Sequence, residues 1–260
     1  MRAIVLCAGQ GKRLLPLTES EPKCLLPVDG DLCALDLQLR AIAHCGIERS
    51  TIMIGFGAEQ VERYLASHRV PGLMVDTIFN PFYATTDNLI TCWLARRAMT
   101  GDFLLLNGDT LFEDDVLRTV LDAPRSPISV TVNHKSHYDE DDMKVTLDGD
   151  GRLRAIGKTL ALEDVHAESI GMLRFRDSGV TAWRSAIERA VRNPNALRRW
   201  YLSVVDELAR NIEVRTTSIT GMWWQEIDSI EDLQSARDGF LQRRDEAKEP
   251  VPVLARARSL

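Results

Sequence analysis

Leu6-Cys7-Ala8-Gly9-Gln10-Gly11-Lys12-Arg13-Leu14 carries a short apolar run, Ala3 to Cys7, into a glycine-rich turn, and Glu21-Pro22-Lys23-Cys24-Leu25-Leu26-Pro27-Val28 follows shortly after. The apolar run reads as a buried first strand. A glycine loop directly behind a strand lets backbone N–H groups approach phosphate oxygens. Arg13 and Lys23 add fixed positive charge, a combination that suits a nucleoside triphosphate whose pyrophosphate must leave. Two other phosphate loops do not fit. The Walker loop needs a wider glycine gap and a Ser or Thr after its lysine, but Arg13 follows Lys12. The dinucleotide fingerprint needs a third glycine or alanine where Leu14 stands.

Outward from this turn, strand-like and helix-like segments alternate. Helical spacing over Leu35 to Cys45 stops at Gly46. Thr51 to Ile54, Leu73 to Phe79, Phe103 to Leu106 and Ile128 to Val132 read as strands. Glu59 to Ser67, Asn88 to Met99 and Glu113 to Leu121 read as helices. The alternation predicts an α/β fold, a mostly parallel mixed sheet covered by helices on both faces. Met143 to Leu147 and Arg152 to Ile156, joined by Asp148-Gly149-Asp150-Gly151, read as a β-hairpin. Ser169 to Phe175 is a further strand, Val180 to Val191 and Trp200 to Arg210 are helices, and strands follow near Glu213–Thr217 and Met222–Glu226. Ser229 with Glu231 and Asp232 opens a last helix expected to reach about Arg244. The expected organisation is one domain over 1–245, with the hairpin as an insertion on one sheet, and a C-terminal tail over 246–260.

The chain has 260 residues, 45% of them hydrophobic, and a net charge of −6 from 32 basic and 38 acidic side chains. These values exclude wholesale disorder, collagen and a disulfide miniprotein. The mild acidity argues against a nucleic-acid binder, which needs a basic stripe. No apolar run approaches the roughly 20 residues that span a bilayer, and the first run is too short for a signal peptide, so no membrane partner is expected. Cys7, Cys24, Cys33, Cys45 and Cys92 are scattered without metal-ligand spacing and read as reduced thiols of a cytoplasmic protein.

The motifs Ala8-Gly9-Gln10-Gly11-Lys12-Arg13-Leu14, Pro16-Leu17-Thr18 and Pro22-Lys23-Cys24-Leu25-Leu26-Pro27-Val28 resemble the signature of the sugar-phosphate nucleotidyltransferase superfamily. The resemblance runs from residue 1 to about 240 and implies its Rossmann-like fold. It implies that Arg13 and Lys23 bind the triphosphate and stabilise charge in the transition state. Leu6, Ala8, Gly9, Gln10, Gly11, Lys12 and Gly108 are expected around the nucleotide.

Attack on an α-phosphorus brings anions together, and Mg²⁺ relieves that repulsion through oxygen ligands, often only one or two carboxylates. Acids just past strand ends are the candidates. Asp109 follows Leu104-Leu105-Leu106-Asn107-Gly108, and Asp228 follows Trp223-Trp224-Gln225-Glu226-Ile227. Glu226-Ile227-Asp228-Ser229-Ile230-Glu231-Asp232-Leu233 also resembles the closing motif of the phosphocholine and phosphonate cytidylyltransferase branch. The resemblance makes Asp109 and Asp228 the metal pair and leaves Asp232 to the helix cap.

The same branch is suggested by Asn80 and Asp87-Asn88-Leu89, where Asp87 departs from its paired asparagines. Asn88 at a helix start either binds nucleotide or caps the helix. Asp142-Met143-Lys144-Val145, Gly157-Lys158 and Glu168-Ser169-Ile170-Gly171 resemble members acting on aminoalkylphosphonates or small phosphorylated alcohols. On that resemblance Lys144 and Lys158 hold the acceptor's phosphate or phosphonate and Glu168 meets a cationic end. The alternatives are solvent-exposed hairpin lysines and a structural glutamate. Trp200 and Tyr201 match an aromatic pair of phosphocholine enzymes, but Leu202 replaces the acid behind it, which weakens the case for choline. The acceptor region is thus expected over about 134–176 and 197–203.

No general base is required, because the acceptor oxygen is already anionic. His44, His68, His134, His137 and His166 are assigned no catalytic role. The expected reaction is CTP-dependent transfer of CMP to a small phosphate or phosphonate acceptor with release of pyrophosphate. A hexose-1-phosphate nucleotidyltransferase using UTP or dTTP is the alternative, and a catalytically silent nucleotide-binding module the second. A homodimer is compatible with the sequence, though no apolar stripe marks it.

Overall fold

The computed structural model describes residues 1–246. In chain order the strands and helices are β1 (Arg2–Cys7), β2 (Pro27–Asp29), β3 (Leu32–Cys33), α1 (Ala34–His44), β4 (Arg49–Ile54), α2 (Ala58–Ser67) and β5 (Met74–Phe79). Then come α3 (Asn88–Leu94), β6 (Phe103–Asn107), β7 (Thr110–Phe112), α4 (Asp114–Asp122), β8 (Ile128–Asn133), β9 (Lys144–Leu147) and β10 (Leu153–Gly157). The last are β11 (Ala167–Phe175), α5 (Ser178–Ala190), α6 (Leu202–Ala209), β12 (Val214–Ser218), β13 (Trp224–Glu226) and α7 (Ile230–Glu246).

Strands β5, β4, β1 and β6 lie side by side and parallel. β11 joins β6 antiparallel, β8 joins β11 antiparallel, and β12 completes that edge parallel to β8. The expected hairpin is present as β9–β10 and docks on the start of β11, so it extends the sheet. This is the α/β architecture with a mostly parallel mixed sheet and a hairpin insertion.

Residues in a strand alternate between faces, and a sheet covered twice needs apolar residues on both. Ala3 and Val5 join Leu35, Leu39, Ile52 and Val116 in one core, whereas Ile4 joins Phe103, Leu105, Trp183 and Val205 in the other. Helices α1, α2 and α4 therefore cover one face, and α3, α5 and α6 the opposite one. A third cluster of Leu14, Leu26, Leu111, Ile227, Leu233 and Ala236 fastens α7 to the segments that follow β1 and β6.

Some local expectations shift. The helix expected over Asn88–Met99 leaves α geometry after Leu94 for a 3₁₀ turn, Ala95–Arg97. The short strands β2, β3 and β7 have no counterpart in the sequence reading, because two or three residues carry no period. The last helix runs to Glu246, past the expected Arg244. The remainder of the expected tail lies outside the described residues. All five cysteines are free thiols. No helix among the described residues is long and apolar enough to cross a membrane.

Candidate active site

The carboxyl ends of β1 and β6 open onto a cleft of about 390 Å³. Such a crevice, outside the strand ends of an open parallel sheet, is where these folds hold ligands. Its floor is the turn after β1, with Leu6, Ala8, Gly9, Gly11, Lys12 and Arg13 on the wall. Lys23, Asn88, Gly108, Asp109, Trp200 and Asp228 also line the cleft.

Two glycines make the approach of these segments possible. Gly11 has φ +72°, and a Cβ there would lie 2.9 Å from the Lys23 side chain. Gly108 sits so close to β1 that a Cβ would meet Cys7 Sγ at 2.5 Å and the Leu6 carbonyl at 2.6 Å. The Lys23 stem thus passes over the loop, and Asp109 is drawn against the end of β1.

Four charged side chains then meet. Lys23 Nζ donates to Asp109 Oδ2 and to Asp228 Oδ1, each at 2.7 Å. Arg13 Nη2 donates to Asp228 Oδ2 at 2.6 Å. Burial works against the Lys23 ammonium, but the two carboxylates outweigh it and raise its pKa to about 12. Burial likewise opposes the Asp228 carboxylate, and Lys23 and Arg13 overcome it to lower that pKa.

Glu226 completes the arrangement. Oxygens of Asp109, Glu226 and Asp228 lie within 4.8 Å of one another. Burial first, then the Asp109 and Asp228 charges, push the Glu226 pKa up to about 8. Asp109 Oδ1 is buried with no hydrogen-bond partner. A convergent set of hard oxygen donors with one orphaned atom fits a divalent cation such as Mg²⁺. In the sequence Glu226 stands within the motif that contains Asp228 and carries no expected role of its own. Its signal was present, since strand alternation around the buried Ile227 turns Glu226 and Asp228 to the same side.

A second cavity of about 190 Å³ adjoins the first and shares Arg13, Asn88, Asn107, Asp109, Trp200 and Asp228 with it. Lys158 and Tyr201 line only this one. Lys158 Nζ lies 4.8 Å from the centre of the Trp200 ring and 3.3 Å from Asp141 Oδ1. Asp141 Oδ2 also meets Arg13 Nη1 at 3.4 Å. Asp141 comes from an irregular loop, and nothing periodic in the sequence marks it. Tyr201 is buried, and its hydroxyl donates to Asn107 Oδ1 at 3.2 Å.

Not every expected residue arrives. Lys144 is buried rather than solvent-exposed, and its ammonium donates to the carbonyl of Lys158 at 2.9 Å, fastening the hairpin base. Glu168 is buried against Lys135 at 2.9 Å and Asn133 at 3.1 Å, so its oxygens are engaged within the chain. Gln10 turns to the Thr18 carbonyl at 3.4 Å. None of the three lines either cavity. Asn80 is buried in its own turn, bonded to Thr91 and to the Phe82 amide.

Asn88 is not the cap of α3. Asp87 holds the N-cap position, and Asn88 Oδ1 accepts from the Tyr201 amide at 2.9 Å, joining the two cavity walls. Asp232 does cap its helix. Its carboxylate accepts from the Asp228 and Ser229 amides while Ser229 Oγ accepts from the Asp232 amide, a reciprocal capping box. The cap fixes the backbone of Asp228 itself. All five histidines are exposed, and none lines either cavity.

A glycine loop, two cations and a carboxylate cluster thus stand together at the strand ends. The chain belongs to the nucleotidyl transferase family, which it matches over residues 2–143. Over 126 residues it is 36% identical to the CMP-5'-(3-aminopropyl)phosphonate synthase of Streptomyces rubellomurinus, covering 48% of this chain and 20% of that protein. It is 22% identical over 258 residues to the CTP:phosphoglutamine cytidylyltransferase of Campylobacter jejuni, covering 90% of this chain and 98% of that one. A bifunctional GlmU protein of Methanococcus vannielii is 32% identical over 117 residues, 45% of this chain and 26% of that protein. The chain thus spans only part of several of its relatives. The inositol-1-phosphate CTP transferase of T. maritima superposes with a TM-score of 0.78 at 21% identity, covering 97% of this chain and 98% of that one, and shares its fold.

Proposed function

We propose that the protein transfers CMP from CTP to the phosphate or phosphonate oxygen of a small acceptor. The acceptor oxygen bonds to the α-phosphorus, the bond from that phosphorus to the β-phosphate oxygen breaks, and pyrophosphate leaves with the electron pair. The observation that carries this reading is the position of Lys23, held between Asp109 and Asp228 beside the glycine loop.

The loop amides and Lys12 face the triphosphate, and Arg13 reaches across the boundary between the two cavities. From there its guanidinium can neutralise charge on the phosphate under attack and on the acceptor. Lys158 supplies a second cation on the acceptor side, while Trp200 and Tyr201 wall the smaller cavity. The acceptor oxygen carries its own negative charge, so the site needs cations and alignment more than a base. Asp109 and Asp228, with Glu226 beside them, would hold Mg²⁺, which supplies charge neutralisation between the reacting phosphates when bound. In this reading residues 1–245 form one catalytic domain, with the acceptor side built from parts of 134–176 and 197–203.

The choice of CTP is supported by the two cytidylyl relatives and by the sequence motifs around Asp228. A solved structure of like fold, a putative glucose-1-phosphate thymidylyltransferase, is the ground for a second reading, a sugar-phosphate acceptor with another nucleotide. A matrix of four nucleoside triphosphates against phosphocholine, 2-aminoethylphosphonate, inositol phosphate and hexose phosphates, read as pyrophosphate release, separates the two. Release with CTP and a small phosphonate or phosphoalcohol supports the first reading. Release confined to hexose phosphates with UTP or dTTP supports the second.

A further inference from the structure

We infer that Gln38, on α1 and outside both cavities, is a positioning residue for Asp109. This rests on the reading of Asp109 as a metal ligand. Gln38 is 1% exposed. Its single Nε2 donates to the carbonyls of Asn107 and Thr110, each at 2.7 Å. Those two carbonyls bracket Gly108 and Asp109, so one side-chain amide spans the turn between β6 and β7.

The orientation of the amide follows from chemistry. A nitrogen carrying two hydrogens satisfies two carbonyls, whereas the amide oxygen in the same place would face two acceptors. That orientation leaves Gln38 Oε1 buried without a partner. An unsatisfied buried oxygen works against stability and offsets part of what the two carbonyl bonds contribute. An apolar side chain of similar size would remove that penalty but leave both carbonyls without this donor.

The other atoms of the turn are held as well. The Gly108 amide donates to the Leu6 carbonyl at 3.1 Å, and the Asp109 carbonyl accepts from the Ile227 amide at 2.9 Å. Ile227 lies between Glu226 and Asp228. Gln38 therefore fixes the outer two carbonyls of a turn whose centre is tied directly to the opposite carboxylate strand. Through that turn it sets where the Asp109 carboxylate stands relative to Glu226 and Asp228. Partners behind the ligands of a metal are commonly worth 10- to 100-fold in affinity or activity.

The test is direct Mn²⁺ binding to the full chain without nucleotide, by electron paramagnetic resonance, alongside steady-state kinetics. Gln38→Met keeps the volume and removes both donors. Gln38→Glu keeps the shape and turns an acceptor toward two carbonyls. Both variants are expected to weaken Mn²⁺ binding about ten-fold or more, the Glu variant further, and to lower kcat with little change in acceptor KM. Thermal unfolding reports whether each variant folds, and either one that folds suffices. Mn²⁺ affinity within two-fold of the parent in a folded variant would overturn the assignment. A parent that binds Mn²⁺ without transferring a nucleotide would refute the proposed reaction while the Gln38 comparison still stands. A parent that binds no Mn²⁺ would overturn both.

Discussion

The Lys23 ammonium lies 2.7 Å from the carboxylate of Asp228, a residue 205 positions further along the chain. That contact joins the segment after the first strand to the segment after the last one. The site therefore needs residues from both ends of the described chain. The contact also ties a cation suited to phosphate to a carboxylate suited to a metal, so the two halves of the proposed chemistry share one position.

Replacing Lys23 by Met is expected to lower turnover by about 10²- to 10³-fold, the scale seen when a positioned charge donor is lost. Two carboxylates each lose a cation at 2.7 Å, and Arg13, at 2.6 Å, compensates only Asp228. Because all of these groups are partly exposed, the stability loss should stay near 1–3 kcal/mol. Steady-state kinetics with a urea titration measure both. An unchanged turnover would remove Lys23 from the reaction.

Lys158 lines the smaller cavity and not the larger one. Lys158→Ala should therefore raise the acceptor KM about ten-fold, on the scale of one lost charge-assisted hydrogen bond, and leave the nucleotide KM near the parent value. Its ion pair with the exposed Asp141 contributes little, so the melting temperature should hold. A change confined to the nucleotide KM would reverse the roles of the two cavities.

With its pKa raised to about 8, Glu226 keeps its proton at neutral pH until a cation arrives. Divalent-cation affinity is expected to rise between pH 7 and pH 9, with proton release on binding. The same shift has a stability consequence. The folded state holds this proton more tightly than the unfolded chain, so its contribution is full at low pH and is lost as pH climbs from about 4.5, the ordinary value, towards 8. Glu226→Gln should flatten both profiles and raise the relative melting temperature at pH 8 to 9. Calorimetric titration with Mn²⁺ in buffers of different ionisation heat tests the proton release.

Gly108→Ala forces a methyl into Cys7 Sγ and the Leu6 carbonyl. Overpacking of this kind costs about 1–3 kcal/mol. Here it also displaces Asp109, so catalysis should fall further than stability implies. Gly149→Ala, where a Cβ meets nothing within 4 Å, is the control and should leave both unchanged.

The parallel half of the sheet was legible because β1, β4 and β6 are apolar runs set between periodic helices. The convergence of Arg13, Lys23, Asp109 and Asp228 was legible because a glycine turn and strand-end acids stand out in the sequence and lie in motifs that resemble a known family's. Lys144 and Glu168, expected at the acceptor, line neither cavity. Their motif resembles an acceptor site, but in three dimensions each finds a partner within the chain, Lys158 and Lys135. No spacing rule foretells those pairings. Asp141 and Gln38 escaped for a related reason. One sits in an irregular loop, and the other is a polar residue on the buried face of a helix, whose partners are backbone carbonyls some 70 positions away.

Phosphorus NMR of the protein with CTP, Mg²⁺ and either phosphocholine or 2-aminoethylphosphonate tests the central claim most directly. The account predicts loss of the CTP signals, growth of free pyrophosphate, and a new coupled pair of resonances from an α-phosphorus joined through oxygen to the acceptor phosphorus. CTP that stays intact across the acceptor panel, or that only hydrolyses to CDP and phosphate, would contradict it.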